Sequence, residues 1–160
     1  MRTTRQLTHA ALIAAVYVLF TFLSSLFGLS SGMIQLRLSE ALTVLPVFTP
    51  AAVPGLAVGC LLSNILTGCA VWDVAFGSLA TLLGAIGTRL LRRQGFLAYL
   101  PPVLSNTLIV PCVLIRVYGV PSAWWLVALC VLAGELLSCV LLGSALRHIL
   151  QPHKDRLFRI

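Results

Sequence analysis

Three of the four acidic residues in this chain lie within or at the edge of long apolar stretches. They are Glu40, Asp73 and Glu135, whereas the fourth, Asp155, belongs to a basic C-terminal tail. A carboxylate inside an apolar segment is costly and usually marks a functional site. Glu135 has no basic residue nearby in its own stretch, so its partner must come from elsewhere. Contact with a ligand or ion is favoured for Glu135, and a structural hydrogen bond between helices stays open.

Other polar residues accompany these acids. Arg37 precedes Glu40 by three residues, a spacing at which the two can simply pair. Asp73 alone can serve as the N-cap of a helix. Trp72 precedes Asp73 in the sequence, and its aromatic ring is suited to stacking on a planar ligand. The candidate substrate-binding residues are Arg37, Glu40, Asn64, Trp72, Asp73, Asn106 and Glu135.

Motifs of enzymatic chemistry are absent from the sequence. It has one lysine and no GxxxxGK[ST] loop, so it does not bind ATP by that route. No HExxH or GxSxG motif and no histidine pair at metal spacing occurs, and the five cysteines form no CxxC pair. We therefore predict no enzyme, no catalytic residue, no metal and no cofactor. The cysteines are interpreted as small packing residues.

The elements that carry these residues are predicted to be membrane helices. Of 160 residues, 59% are hydrophobic and 9% charged, and the mean hydropathy is +1.03; soluble domains carry about 25% charged residues. We predict one transmembrane domain over 1–160, all α-helical, with the first apolar stretch retained rather than cleaved as a signal peptide. The predicted spans, separated by Gly- or Pro-containing turns, are 7–27, 34–49, 52–69, 73–91, 96–118 and 123–148.

The basic residues orient these spans. With six spans, all of the 11 Lys and Arg residues except Arg37 and Arg116 fall on one side of the bilayer. By the positive-inside rule that side is cytoplasmic, and both termini lie on it. The predicted location of the protein is the plasma membrane. The clusters also suit anionic lipids, and no nucleic-acid partner is predicted. In this orientation the polar residues of the spans gather in the outer half and middle of the membrane, as the lining of an outward-facing pocket.

Small residues recur at four-residue spacing in two spans. Ala10 with Ala14, and Ala11 with Ala15, form a smooth face at the cytoplasmic end of the first span, and the third span has a Gly55 and Gly59 pair. Such faces allow close helix packing in lipid. Packing within the chain is adequate for the glycines. For the alanines, spacing alone leaves internal packing and partner docking equally open.

Three stretches of the sequence resemble the QueT family of substrate-binding S components of energy-coupling factor (ECF) transporters. The most specific is IQLRLSEALTVLP at 34–46, which contains Arg37 and Glu40. The others are Pro54-Gly55-Leu56 with Gly59-Cys60, and Asp73 with the FGSLAT run at 76–81. The resemblance covers nearly the whole chain, and the length and predicted six-span layout also match.

This resemblance implies uptake of 7-deazaguanine precursors of queuosine, such as 7-aminomethyl-7-deazaguanine or queuine. It implies docking, through an AxxxA motif in the first helix, on a transmembrane subunit driven by two ATPases that hydrolyse the ATP. A carboxylate suits the N1–H and amine donors of a guanine-like edge, which favours Glu135 or Glu40 there. Asp73 would face the substituent or the gate, and the stretch from Gly28 to Gly32 would form a mobile lid.

Three alternatives remain at this stage. An S component for another vitamin-like substrate would share the fold, because function depends on the site. A stand-alone proton-linked transporter would use Glu135 as a relay, and a purely structural membrane subunit would need no ligand at all.

Overall fold

The computed structural model describes residues 2–29 and 35–158, and these parts of the chain are helical with short connections. The helices pack side by side in chain order, which is the arrangement of a membrane helical bundle. Their bounds are α1, Arg2–Leu26; a 3-10 helix, Leu38–Val47; α2, Ala52–Leu66; α3, Val71–Leu90; a 3-10 turn, Gly95–Tyr99, leading into α4, Leu100–Arg116; α5, Trp124–Glu135; a π-helical segment, Leu136–Leu142; α6, Gly143–Leu150; a 3-10 turn, Gln151–His153; and α7, Lys154–Leu157.

Four segments of the described chain are long and apolar enough to cross a membrane. The predicted spans at 7–27, 73–91, 96–118 and 123–148 each coincide with one of them, and the third, 52–69, with the shorter α2. The prediction of a spanning helix over 34–49 is wrong in length and type, because only the ten-residue 3-10 helix is found there. These four candidate spanning segments are Thr4–Leu26, Val71–Leu90, Gly95–Arg116 and Trp124–His153.

The 3-10 helix is stretched along the core of the bundle. Because a 3-10 helix rises about 2.0 Å per residue, ten residues extend roughly 20 Å, where an α-helix would extend about 15 Å. Pro46 lies inside it and cannot donate a backbone hydrogen bond. Arg89 binds its C-terminal end by donating to the carbonyl oxygens of Pro46 (3.0 Å) and Val47 (3.4 Å). The element that carries Glu40 is therefore fixed by α3 at its far end.

A second departure from α geometry occurs in the last long helix, opposite the 3-10 helix. The seven residues Leu136–Leu142 are π-helical and follow directly on Glu135. π segments are uncommon and often occur at functional sites. The two irregular helices pack against each other; Glu40 lies on one of them, and Glu135 directly precedes the other.

Helices α1 and α2 approach each other through small residues. A Cβ atom added at Gly55 would lie 2.7 Å from the carbonyl oxygen of Ala10. One added at Gly59 would lie 3.1 Å from the Cα of Ala14 and 2.8 Å from the Cβ of Tyr17. Ala10 and Ala14 therefore contact α2 within this chain. This contact brings Tyr17 into the core.

We expect Gly59→Ala to destabilise the protein, because the added methyl group overlaps Tyr17 and overpacking costs typically about 1–3 kcal/mol. The measurement is the thermal unfolding midpoint in detergent. Gly143→Ala is the matched control, since its Cβ would lie 3.5 Å from the nearest atom, an ordinary contact. Equal midpoints for the two variants would contradict close α1–α2 packing.

Candidate functional site

Glu40 lies in the interior of the bundle with 1% of its surface exposed. The hydroxyl of Tyr17 donates a 2.6 Å hydrogen bond to Oε1 of Glu40, and Nδ2 of Asn106 lies 3.5 Å from Oε2. Thr43 donates to the Glu40 carbonyl at 2.6 Å, which steadies the 3-10 turn around it. The hydrogen-bond donors to this carboxylate among the described residues are thus neutral side chains from α1 and α4.

Glu135 lies across from Glu40 and is 8% exposed. The thiol of Cys139, one turn further along, donates to its Oε2 at 3.1 Å and also lies 3.6 Å from the Glu40 carbonyl oxygen. One ligating atom from each of these three residues falls within 4.8 Å of the others. We call Tyr17, Glu40, Asn106, Glu135 and Cys139 the carboxylate cluster.

Two buried carboxylates at this separation repel each other unless a proton, a cation or a set of hydrogen-bond donors lies between them. The sequence predicted that Glu135 needs a partner from another element. The hydrogen bond that the structure gives its carboxylate comes from Cys139 one turn along, and the carboxylate of Glu40 lies opposite it. Carboxylates and thiolates are also metal ligands. The thiol here is positioned as a hydrogen-bond donor, whereas a metal ligand would be a thiolate.

Two further hydroxyl groups near the cluster lack a hydrogen-bond partner among the described residues. They belong to Ser39 and Ser138, each 1% exposed and each adjacent in sequence to a cluster residue. Buried hydroxyl groups are nearly always paired, and an unpaired one needs an explanation such as water or a ligand. Both serines thus add potential contacts for a polar molecule at this depth.

A polar pocket of about 370 Å³ lies nearer one end of the bundle. Its lining includes three of the predicted residues, Arg37, Asn64 and Asp73, together with Gln35 and Tyr118. This end is where α1, α2 and α4 finish and where α3 begins. We call it the polar end, and the opposite end, with Arg89, Arg92 and Arg147, the basic end.

Asp73 is held in this pocket by Tyr118, whose hydroxyl donates to its Oδ2 at 2.9 Å and accepts from the backbone N–H of Ala70 at 3.1 Å. Burial, with a further contribution from Asp73, raises the pKa of Tyr118 to about 12, so the phenol remains a donor at neutral pH. A Cβ atom on Gly77 would lie 3.1 Å from Nδ2 of Asn64 and 3.5 Å from Oδ1 of Asp73. The lack of a side chain at Gly77 thus leaves space for the side chains of Asn64 and Asp73.

The structure separates the polar pocket from the carboxylate cluster. Glu40 and Glu135 do not line the pocket, whereas Gln35 and Arg37, which precede the 3-10 helix, do. A Cβ atom on Gly134, next to Glu135, would collide with the carbonyl oxygen of Gln35. Segment 35–37 thus packs directly on α5 beside the cluster. The predicted lid at 28–32 lies largely outside the described residues, since 30–34 are not described.

Trp72 does not join the other predicted residues. Its side chain is 62% exposed and stacks on Phe76 with ring centroids 6.0 Å apart, beside an apolar groove on the outside of the bundle. Its expected role in stacking on a ligand is not supported by this position. The aromatic ring that reaches the cluster is Tyr17, fully enclosed at 1% exposure.

Sequence reasoning missed Tyr17, Cys139 and Tyr118. The position of Tyr17 was detectable, since it follows Ala10 and Ala14 at the i, i+4, i+7 spacing of one helix face. Cys139 was treated as packing because a thiol carries no signal by itself. Nothing in the sequence links Tyr118 to Asp73, since their pairing depends on how α3 and α4 align.

Residues 7–152 match the family described as QueT transporter. A curated relative, the queuosine precursor transporter QueT of Lactococcus lactis subsp. cremoris (strain MG1363), is 36% identical over 80 residues. The match spans 50% of this chain and 47% of that relative, or about half the length of each. No solved structure matches the chain.

Proposed function

The chain belongs to the QueT transporter family, and from this premise we propose that it is the membrane-embedded subunit that binds a 7-deazaguanine precursor of queuosine for uptake. It is a transport protein and not an enzyme. The ligand class is 7-aminomethyl-7-deazaguanine, queuine or a close analogue. The partially matched relative carries the words "queuosine precursor transporter" in its name, which supports this class of ligand.

The observation that carries the proposal is the carboxylate cluster. Glu40 and Glu135 present oxygen acceptors within 4.8 Å of each other in the core. A guanine-like edge carries adjacent N–H donors, at N1 and at the exocyclic amine, beside a carbonyl acceptor. Acidic side chains accept hydrogen bonds from such donors at base edges, and an amide can pair with an acceptor. The donors of the ligand would thus relieve the repulsion between the carboxylates.

The neighbouring groups supply the remaining contacts. Nδ2 of Asn106, a weak donor to Glu40 at 3.5 Å, would turn to the ligand carbonyl. The unpaired hydroxyls of Ser39 and Ser138 would bind the remaining polar atoms. In the polar pocket, Asp73 would attract a cationic aminomethyl group, and Arg37 would hold segment 35–37 over the bound ligand. The polar pocket is the entry route in this proposal, and opening of segment 35–37 admits the ligand to the cluster.

The proposal keeps six membrane crossings, of which the 3-10 helix and α2 make two short ones inside the bundle, with the polar end facing outward and both termini in the cytoplasm. Glycine- and proline-bounded helices that are shorter than the bilayer are tolerated where other helices surround them. The basic end faces the cytoplasm because Lys and Arg concentrate there. The polar pocket then opens outward, as an uptake protein requires.

The partners in this proposal are an ECF transmembrane subunit and two ATPase subunits. Of the two alanine registers on α1, Ala10 with Ala14 contacts α2, and Ala14 is only 6% exposed. Ala11 and Ala15 remain exposed. The docking face is therefore assigned to Ala11 and Ala15, with the groove of about 480 Å³ between α1 and α2 beside it.

The first experiment is mass spectrometry of the small molecules that remain bound after purification from cells grown with queuosine precursors. We expect a 7-deazaguanine at close to one per protein chain. Addition of guanine in excess should displace it poorly if the substituent at position 7 contributes through Asp73. A different vitamin-like compound at the same occupancy would refute the ligand assignment while keeping the transport role.

A stand-alone proton-linked transporter is the second candidate, because two carboxylates this close can share and release a proton. An uptake assay in liposomes that contain only this chain distinguishes the two functions. Uptake driven by a pH gradient without any ATPase would favour the second. Uptake that requires the ATPase partners and ATP would support the first.

A further inference from the structure

The basic end of the bundle contains a cavity of about 640 Å³ that the proposed transport function does not use. It lies between the end of the 3-10 helix, the turn after α3 and the last helices. Three cationic side chains line it, Arg92, Arg147 and Lys154, and no acidic side chain of the described chain does. A concave site with three positive charges has the electrostatic character of an anion site.

The cationic groups retain free hydrogen-bonding capacity. A guanidinium has five N–H donors. Arg92 uses one to bind the Arg89 carbonyl at 3.1 Å, and Arg147 uses one to bind the Gly95 carbonyl at 3.1 Å. Arg147 also lies 5.9 Å above the Tyr99 ring, which fixes the orientation of its side chain. The remaining donors suit the oxygens of a phosphate group, which arginine binds with two parallel hydrogen bonds.

The rest of the lining and the depth of the cavity indicate where this phosphate comes from. Phe48 and Phe158, stacked at 5.3 Å between ring centroids, form an apolar wall beside the cations. Arg92 lies two residues beyond the end of the span Val71–Leu90, and Lys154 follows directly on Trp124–His153. The cavity therefore lies where the helices leave the apolar layer, at the level of lipid headgroups. Basic pockets between helices at this level bind anionic headgroups.

We propose that this cavity binds the headgroup phosphate of an anionic phospholipid, with Arg92, Arg147 and Lys154 as its ligands. The aromatic wall would cover the glycerol end of the lipid. A lipid bound there would connect the 3-10 helix, which carries Glu40, to the C-terminal helices. Anionic lipid should then stabilise the folded bundle, because a ligand that binds only the native state raises its stability.

The test is native mass spectrometry of the full chain in detergent with equimolar phosphatidylglycerol and phosphatidylcholine. We expect preferential retention of phosphatidylglycerol. Arg92→Gln and Lys154→Gln should each lower it about fivefold, the equivalent of about 1 kcal/mol per basic residue near a lipid surface. Lys154→Arg should retain the lipid. Arg93→Gln is the matched control, since it removes an exposed charge from the same turn outside the cavity.

A thermal unfolding series identifies the source of the phosphate. Phosphatidylglycerol should raise the midpoint of the wild type and of Arg93→Gln equally, and that of Lys154→Gln by less. Equal stabilisation by inorganic phosphate at the same concentration would overturn the lipid assignment in favour of a soluble anion. Equal retention of both lipids, or equal loss in Arg93→Gln, would overturn the site itself. So would cavity variants that bind lipid normally but fail to assemble with the ATPase partners, since the cavity would then be a protein contact.

Discussion

Glu135→Gln and Glu40→Gln should each weaken binding of a 7-deazaguanine by roughly 5- to 150-fold, the equivalent of about 1–3 kcal/mol for a badly paired buried polar group. Glutamine keeps the size of the side chain but turns an acceptor into a donor, which would face the N–H groups of the ligand. Isothermal titration calorimetry in detergent is the measurement. The loss should be larger at Glu135, because Glu40 keeps its hydrogen bond from Tyr17 through the amide oxygen.

The control for these two variants replaces a glutamine by a glutamate at a position away from the cluster. Gln94→Glu, on an exposed turn at the basic end, should leave the affinity unchanged. Thermal unfolding of each variant establishes that the bundle is intact. Wild-type affinity in both glutamine variants would contradict recognition of the ligand by carboxylates. Recovery of binding only after addition of a divalent metal, and its loss with a chelator, would instead indicate that the cluster holds an ion.

Ala11→Trp should strongly reduce ATP-dependent uptake while substrate affinity stays at the wild-type value. The physical reason is that a small-residue face allows close approach to a partner helix, and a large side chain there keeps the helices apart. Overpacking of about 1–3 kcal/mol corresponds to a roughly 5- to 150-fold loss of assembly. Uptake by whole cells and co-purification with the ATPase subunits are the two measurements.

The position of the substitution follows from the structure. Ala14→Trp, the obvious choice from the AxxxA spacing, would be placed against Gly59 and would disrupt α1–α2 packing as well as any docking. Ala11 is exposed, so its enlargement leaves the internal contact intact. Leu129→Trp, at a 54% exposed position on α5, is the control for the added bulk and should transport normally. Normal uptake by Ala11→Trp would place the docking face elsewhere.

Much of the fold was predictable because lipid imposes simple rules on a sequence. A spanning helix must be long and apolar, since every backbone group has to be paired within the segment. Four predicted spans accordingly coincide with long helices. The segment 34–49 does not follow this rule, because other helices surround it and its backbone forms a 3-10 helix. Hydropathy does not distinguish a 3-10 helix from an α-helix. The sequence also does not reveal that Arg89 of α3 binds the end of this 3-10 helix at Pro46, because that contact depends on how α3 packs beside the 3-10 helix.

The sequence by itself singled out the rare acids in apolar helices as the candidate site residues, because burial of a carboxylate is costly and usually functional. It did not determine which groups face each other. Only the tertiary structure brought Glu40 and Glu135 together, placed Tyr17 beside them and moved Trp72 to the outside. The reason is that helix rotation is set by packing against neighbouring helices, here the contact of Gly55 and Gly59 with α1, and not by hydrophobicity.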